Sequence, residues 1–442
     1  MKHRFFLYQF VFFFFLCSCS NQKQAKSISI LQHQTIDLGE NFIGYGGFLA
    51  FNQGVVIGLD LARTMQPFFR LKPNDPSQPL FYFGNRGQGP NDFLVPLSIQ
   101  YINNQTAGTL DIMSNTYTEF SIPNESEELK VIKKMTFQTS LNQIIKTAFN
   151  QYVGLLGVSD EMFLLTDSSG IPIKSFFEYP YQNNDERQLP KRSHAYQGTL
   201  AANPSKSKFV YSCFNGEILH FYEIENNNIK IIAKIENEYP IYKFGDKENL
   251  STLVFGAQGI NGYVATYATE KFVYTIFSGE KLREQMNNPK INLDGTLLRV
   301  FDWNGALVKE YALDVPCSYL CVSDDDSKIW AIASYPDITI VSFDIENAIE
   351  NYAIENRQDD AIPIKKDSLE RRLIDGRIYF EIDSTQDYNS KELKDLIMSR
   401  IIRIINDNSL NINPDDIIDI QIDTLNRRQT IRAPIILKKT EK

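Results

Sequence analysis

The sequence predicts an all-β body of repeated four-stranded units, arranged like a propeller, followed by a small α+β segment. Three observations predict this. From about Ile28 to Asn347, short apolar or alternating runs of four to eight residues are broken by Gly, Asn, Asp and Ser, which is the spacing of strands and turns. Roughly six hairpin-bearing modules fill that stretch at about 50 residues each, the size of a four-stranded blade. From about Glu350 the pattern changes to strand, helix and two further strands. A β-sandwich array is the structural competitor for the repeated part.

The chain opens on basic Met1-Lys2-His3-Arg4, then an almost wholly apolar run from Phe5 to Leu16. That run is too short to span a bilayer, which needs roughly 20 residues. It reads as a secretory signal peptide. The ending Leu16-Cys17-Ser18-Cys19 resembles a bacterial lipobox, which makes Cys19 the candidate lipid attachment. The expected organisation is a lipoprotein signal over residues 1–19, a polar tether over 20–27, the repeated β body over 28–349 and an α+β segment over 350–442.

The hairpins follow in order. Met162–Thr166 and Lys174–Tyr179 flank Asp167-Ser168-Ser169-Gly170. Phe209–Cys213 and Ile218–Glu223 flank Asn215-Gly216, and Phe272–Phe277 leads into Ser278-Gly279. Such turns supply the positive φ angles of tight hairpins. Leu297–Asp302, Ala306–Leu313, Tyr319–Val322 and Lys328–Ala333 read as one four-stranded module. Ser140–Thr147 reads as a short helix or an irregular insertion. In the last segment, Tyr379–Ile382, Ile417–Ile422 and Thr430–Leu437 read as strands. Lys391–Ile405, capped by Ser390, reads as a helix.

Composition narrows the function. A net charge of -9, from 45 basic and 54 acidic side chains spread along the chain, leaves no basic patch for nucleic acid. Thirty-one Phe and 22 Tyr suit a β-rich core, while two Trp argue against tryptophan-signature repeats. Beyond the signal, the cysteines are Cys213, Cys317 and Cys321, an odd number and so no disulfide framework. Cys317 and Cys321 stand four apart. In a strand that places two small buried residues on one face, though one disulfide is compatible with an oxidising compartment.

Gly87-Gln88-Gly89-Pro90-Asn91-Asp92-Phe93 predicts a rigid loop between strands, since glycine permits unusual angles and proline fixes φ. It has neither the Gly-Lys-Ser/Thr nor the following helix of a phosphate cradle. The loop resembles that of the TolB-like six-bladed β-propeller lipoproteins common in Bacteroidota, whose Gly-x-Gly-Pro-x-(Glu/Asp)-Phe motif is matched by Gly87, Gly89, Pro90, Asp92 and Phe93. Arg299-Val300-Phe301-Asp302-x-x-Gly305 is similar to a late blade pattern of the same family. The resemblance covers residues 1–349 and implies a six-bladed β-propeller in the cell envelope. It implies no particular activity.

Little else carries chemistry. Outside the signal, His33, His194 and His220 do not cluster, so a His/Cys metal site is not expected. Ser205/Lys208 and Ser278/Lys281 lack the helix that an acylating Ser-x-x-Lys needs. Asp324-Asp325-Asp326 lacks the alternating ligands of a calcium loop and reads as a solvated turn. Asp367-Ser368-Leu369 and Asp423-Thr424-Leu425 are similar to the O-glycosylation signal of this bacterial group. The expected function is a non-catalytic, lipid-anchored binding module. It has no cofactor, meets the membrane through its N-terminal lipid and holds a protein or peptide at one propeller face. Tyr179-Pro180-Tyr181 and Tyr239-Pro240-Ile241-Tyr242 are candidate contacts there, or apolar edges packed between blades. The rival is a lactonase-like hydrolase with a carboxylate-bound calcium in the central channel. A third reading is a structural role in which segment 350–442 docks to an envelope complex.

Overall fold

The computed structural model describes residues 28–345, apart from 76–79, 125–126, 190–191, 245–252, 288–293 and 335–336, together with six short strands after residue 369. Cys19, the tether and the expected helix 391–405 lie outside the described residues.

Two short strands, β1 (Ser29–Leu31) and β2 (His33–Thr35), precede the repeated part. The first blade is β3 (Gly46–Asn52), β4 (Val55–Asp60), β5 (Phe68–Leu71) and β6 (Phe81–Phe83). The second is β7 (Gln100–Asn103), β8 (Thr106–Asp111), β9 (Thr116–Ser121) and β10 (Val131–Thr136). The third is β11 (Leu141–Lys146), β12 (Tyr152–Leu156), β13 (Glu161–Thr166) and β14 (Pro172–Glu178). Helix α1 (Asn184–Arg187) and a 3-10 turn (Arg192–His194) lead to the fourth blade: β15 (Gly198–Ala202), β16 (Lys208–Cys213), β17 (Glu217–Glu225) and β18 (Asn228–Glu238). Each is a four-stranded antiparallel meander.

A hairpin of β19 (Tyr242–Phe244) and β20 (Leu253–Phe255) follows. The remaining strands are β21 (Tyr263–Ala268), β22 (Phe272–Phe277), β23 (Gly295–Asp302), β24 (Leu307–Val322), β25 (Lys328–Ala333) and β26 (Thr339–Asp344), with helix α2 (Leu282–Asn287) between β22 and β23. With β1 and β2 they form one eight-stranded sheet, because β24 serves two blades. Its first half pairs with β23 as the outer strand of blade 5. Its second half pairs with β25 as the inner strand of blade 6. The register against β23 slips between Gly295 and Leu297, and Pro316 lies at the passage. The module expected over Leu297–Ala333 therefore straddles two blades. No turn residues mark the boundary, because the chain stays extended through it.

The N-terminal β2 pairs with β26 and supplies the fourth strand of blade 6, while β1 runs parallel to β24 at Tyr311–Leu313. The first and last blades are thus tied by the chain's own start. Contacts run from β3 to β7, from β8 to β11, then to β15, β21 and β24, and from β24 back to β3. This closure excludes the sandwich array.

Six apolar clusters fill the spaces between successive blades, one at each junction. Both faces of every blade are buried, so neighbouring residues point into different cores. Phe68 packs between blades 1 and 2, and Phe69 between blades 1 and 6. Such strands read as continuous apolar runs rather than alternations. The same reason corrects the reading of Ser140–Thr147. It is not a helix or insertion but the innermost strand β11, with Ile144 in one core and Ile145 in the next.

Cys317 and Cys321 are both free and buried, and they do not share a face. A bulge between Cys317 and Tyr319 shifts the alternation by one residue. Cys317 then joins the core of blades 5 and 6, and Cys321 that of blades 6 and 1.

After residue 369, β27 (Glu370–Ile374), β28 (Arg377–Ser384), β30 (Asp423–Leu425) and β31 (Gln429–Arg432) form a sheet in the order β27-β28-β31-β30. The strands β29 (Ile417–Ile420) and β32 (Ile435–Leu437) pair as a two-stranded sheet, with β32 beside β28. The expected strand Thr430–Leu437 is thus divided in two, and the expected strand Ile417–Ile422 is β29. Asp423-Thr424-Leu425 is β30, and Asp367-Ser368-Leu369 lies outside the described residues.

Candidate functional site

The two ends of the propeller differ. Label each blade's strands A to D from the axis outward. A–B and C–D turns then lie at one end, and B–C and D–A connections at the other. A–B turns are short, as at 53–54 and 104–105. The long connections 84–99, 179–197, 239–262 and 278–294 all lie at the B–C end, and they carry both helices and the extra hairpin.

The A–B end is stapled around the axis. Asn52 donates to Asn104 at 3.1 Å between blades 1 and 2. Lys206 Nζ reaches across to the Ile102 carbonyl at 2.7 Å, and its own carbonyl accepts from Ala148 N. Glu270 accepts from Asn203 and Ser205, tying blades 4 and 5. Tyr274 OH donates to Asp326 at 3.0 Å, and Gln53 N to Asp324 at 3.1 Å, closing blades 5 to 6 and 6 to 1. In the same turn Ser323 and Ser327 donate to Asp325 and hold its carboxyl near 2. The triple-aspartate turn is a junction between blades.

At the B–C end the structure shows what the Gly-x-Gly-Pro loop does. Neither Gly87 nor Gly89 has a positive φ. A Cβ at either would fall 2.4 Å or 2.7 Å from Asp92 Oδ2, which accepts from Gly89 N at 2.9 Å, so a side chain there would displace that carboxylate. This corrects the reading from unusual backbone angles. The turn drives Phe93 into the core of blades 1 and 2, edge-on to Phe68 at 4.8 Å and to Phe120 at 5.8 Å. Lys134 donates to the Pro90 carbonyl. Gly87, Gly89, Pro90, Asp92 and Phe93 thus build one structural plug.

Two buried carboxylates that the sequence reading passed over organise this end. Asp60 ends β4, is fully buried, and accepts from Gly44 N, Tyr45 N, Ala62 N and Tyr82 OH. Asp111 ends β8 and accepts from Leu94 N, Val95 N, Met113 N and Ser114 N. Each holds the segment that leads into its blade's innermost strand. The recurring Leu59-Asp60-Leu61 and Leu110-Asp111-Ile112 was the available signal.

The axis itself holds a cavity of about 20 Å³, room for one water-sized molecule. Phe48, Thr199, Phe214, Val264, Thr266 and Tyr319 are among its lining residues, and no carboxylate is. Among the described residues no group of three His, Cys, Asp or Glu could hold a metal ion. The three described histidines stay apart, in β2, the 3-10 turn and β17.

The tyrosine loops divide between their two readings. Tyr179 is fully buried and donates to the Leu156 carbonyl at 2.5 Å, and Pro180 is buried beside it, whereas Tyr181 is exposed under Arg187 and Arg192. Pro240 is buried and Ile241 exposed. Tyr239 donates to Glu236 at 2.9 Å, and the other Glu236 oxygen lies 2.7 Å from His220 Nε2. In neutral His220 the Nε2–H donates to Glu236, and Nδ1 accepts from Tyr222 OH at 3.0 Å.

Burial pushes the His220 pKa below 6.5, and the hydrogen bond from His220 holds Glu236 near 2. The unfolded chain takes up protons on His220 below about 6.5 and on Glu236 below about 4.5 that the folded chain resists, so this contribution is complete near neutral pH and is lost on acidification. The expected result is a melting temperature that falls from pH 7 to pH 5, with a flatter slope in His220→Gln. Identical slopes would remove His220 from the account.

The sequence profile described as TolB-like 6-blade propeller-like matches residues 26–325. The chain belongs to the TolB-like six-bladed propeller family. Among solved structures, this TolB-like propeller is similar to a Bacteroides fragilis protein described as exported, at 12% identity over 71% of this chain and 94% of that one, with a TM-score of 0.45. It is also similar to regucalcin, a calcium-binding protein of Agrobacterium tumefaciens, at 8% identity over 73% and 96%, with a TM-score of 0.43. A luciferin-regenerating enzyme aligns at 8% identity over 71% and 96%, with a TM-score of 0.42. No curated protein matches the sequence.

Proposed function

We propose that this TolB-like propeller is a lipid-anchored protein of the cell envelope that binds a partner through its B–C end and catalyses no reaction of its own. The observation that carries this is the contrast between the ends. The A–B end is closed by blade-to-blade hydrogen bonds, while turns and connections of the B–C end display Phe42, Tyr45, Met65, Met113, Val158 and Ile241 to solvent. Exposed apolar side chains gathered on loops of a rigid scaffold are what an interaction surface requires. A calcium hydrolase would need carboxylates converging on the axis, and the cavity lining offers Phe, Val, Thr and Tyr in their place.

Two measurements test this. Cys19→Ser should abolish labelling by a clickable fatty acid and move the protein from the membrane to the soluble fraction. A photo-reactive residue at Val158 or Ile241 should capture an envelope protein in living cells, and one at Phe149 or Ile171 on the A–B end should not. Capture confined to the A–B end would reverse the assignment.

A further inference from the structure

The turn between β15 and β16 anchors one lysine firmly. Lys206 takes a positive φ of 59° there, and its N–H donates to the Asn203 carbonyl at 2.8 Å. Asn203 Oδ1 in turn accepts from Ser207 N and Lys208 N. The Lys206 carbonyl accepts from Ala148 N of blade 3 at 2.9 Å. From that fixed start the half-buried side chain reaches past blade 3 to the Ile102 carbonyl of blade 2, 2.7 Å away. The charged groups around it are engaged with one another. Lys146 Nζ donates to Glu119 Oε1 at 2.9 Å, and Tyr152 OH donates to the same oxygen at 2.6 Å. Lys133 donates to Tyr152 OH at 3.1 Å and to the Ser168 carbonyl. On the blade 5 side of the turn, Glu270 accepts from Asn203 and Ser205. Among the described residues no ion pair includes Lys206.

An ammonium with no carboxylate, beside a second ammonium and partly out of water, is the setting in which a lysine gives up its proton most readily. Burial first, then the Lys146 charge, pull Lys206 below the usual lysine range, against an upward pull from Glu119. The bond to Ile102 does not oppose this, since a neutral amine also donates to a carbonyl. We propose that Lys206 is a covalent attachment site for small carbonyl compounds, which it holds as an imine at the A–B end. The proposal is independent of the partner-binding reading of the B–C end. A desolvated lysine beside another cation is the arrangement of an activated amine nucleophile. The Nζ lone pair of the neutral amine attacks the carbonyl carbon of an aldehyde, a C–N bond forms, and the carbonyl oxygen takes up the amine's proton. The resulting carbinolamine takes one proton from solvent, loses water and becomes the protonated imine. No oxidant or reductant is consumed. The imine keeps one N–H for the Ile102 carbonyl, so blade 4 stays tied to blade 2.

The test treats the full-length protein briefly with propanal and cyanoborohydride, which reduces protonated imines to stable secondary amines, and maps the alkylated lysines by mass spectrometry. Lys230 is the reference, because it is exposed and its hydrogen bond to Glu225 holds it above the usual lysine range. At pH 7, Lys206 should be alkylated at least fivefold more than Lys230. As the pH rises toward 11 and Lys230 loses its proton, that ratio should fall at least threefold. Lys146→Met removes the neighbouring ammonium and should cut Lys206 alkylation at pH 7 at least threefold. If that variant does not fold, the pH profile of the parent decides alone. Lys206 alkylated no more than Lys230 at pH 7, or a ratio that stays constant up to pH 11, overturns the proposal. Undiminished alkylation of Lys206 in folded Lys146→Met overturns it as well.

Discussion

Replacing Phe93 with alanine is expected to destabilise the propeller by about 3–5 kcal/mol. The ring is 1% exposed and packs on Phe68 and Phe120, so its removal leaves a cavity at the junction of blades 1 and 2. Collapse cannot refill that cavity, because the backbone on either side is fixed by Asp92 on Gly89 and by Asp111 on Leu94. Thermal unfolding reports the loss as a melting temperature lower by roughly 10 °C. Phe42→Ala, at an exposed position of the same end, should change stability by less than about 0.5 kcal/mol. If Phe93→Ala behaved like Phe42→Ala, the family loop would have to be read as a surface feature and not as a plug.

Removing the closing strand should have the larger effect. A chain beginning at Ile36 lacks β1 and β2, which strips blade 6 of its outer strand and empties the fully buried Leu31 site between blades 5 and 6. It also removes the only described strand that ties the start of the chain to its last blade, together with the bonds from His33 N and His33 Nδ1 to Asp314. The loss of one buried leucine is worth about 2–5 kcal/mol, and the exposed edge of β26 adds unpaired backbone groups. The sum is a large share of the 5–15 kcal/mol by which domains are stable. Circular dichroism should show strand content without a sharp transition, and hydrogen exchange should accelerate first in β25 and β26. A cooperative melt within a few degrees of the parent would show that the other five junctions hold the propeller unaided.

Much of this architecture was legible beforehand, and the failures share a cause. Hairpins such as Glu161–Thr166 with Pro172–Glu178 announced themselves through their turn residues, and Gly170 and Gly305 do take positive φ. Gly216 does not. It is glycine because a Cβ there would fall 2.5 Å from the Glu238 carbonyl oxygen. Leu141–Lys146 was opaque because an innermost strand buried on both faces loses the period of two. Tyr179, Pro180 and Tyr181 were legible as a group but not one by one, since which ring turns inward depends on Leu156, 23 positions away. Lys206 carried no motif, since what sets it apart is its bond to Ile102, 104 positions away.

The sequence by itself determined the β-rich body, the repeat of about 50 residues expected of blades and the resemblance to the TolB-like family that the profile over residues 26–325 shows. These follow from local rules, because turn chemistry and strand period are each written within a few neighbouring residues. Tertiary structure alone decided where each blade begins, which faces Cys317 and Cys321 meet, that the start of the chain closes the last blade, and which end is stapled and which displays its loops. Those outcomes depend on pairs such as His33 and Asp314, 281 positions apart, and on cores shared by successive blades. No local pattern encodes them, because the same extended strand can close any blade until the neighbouring blades are in place.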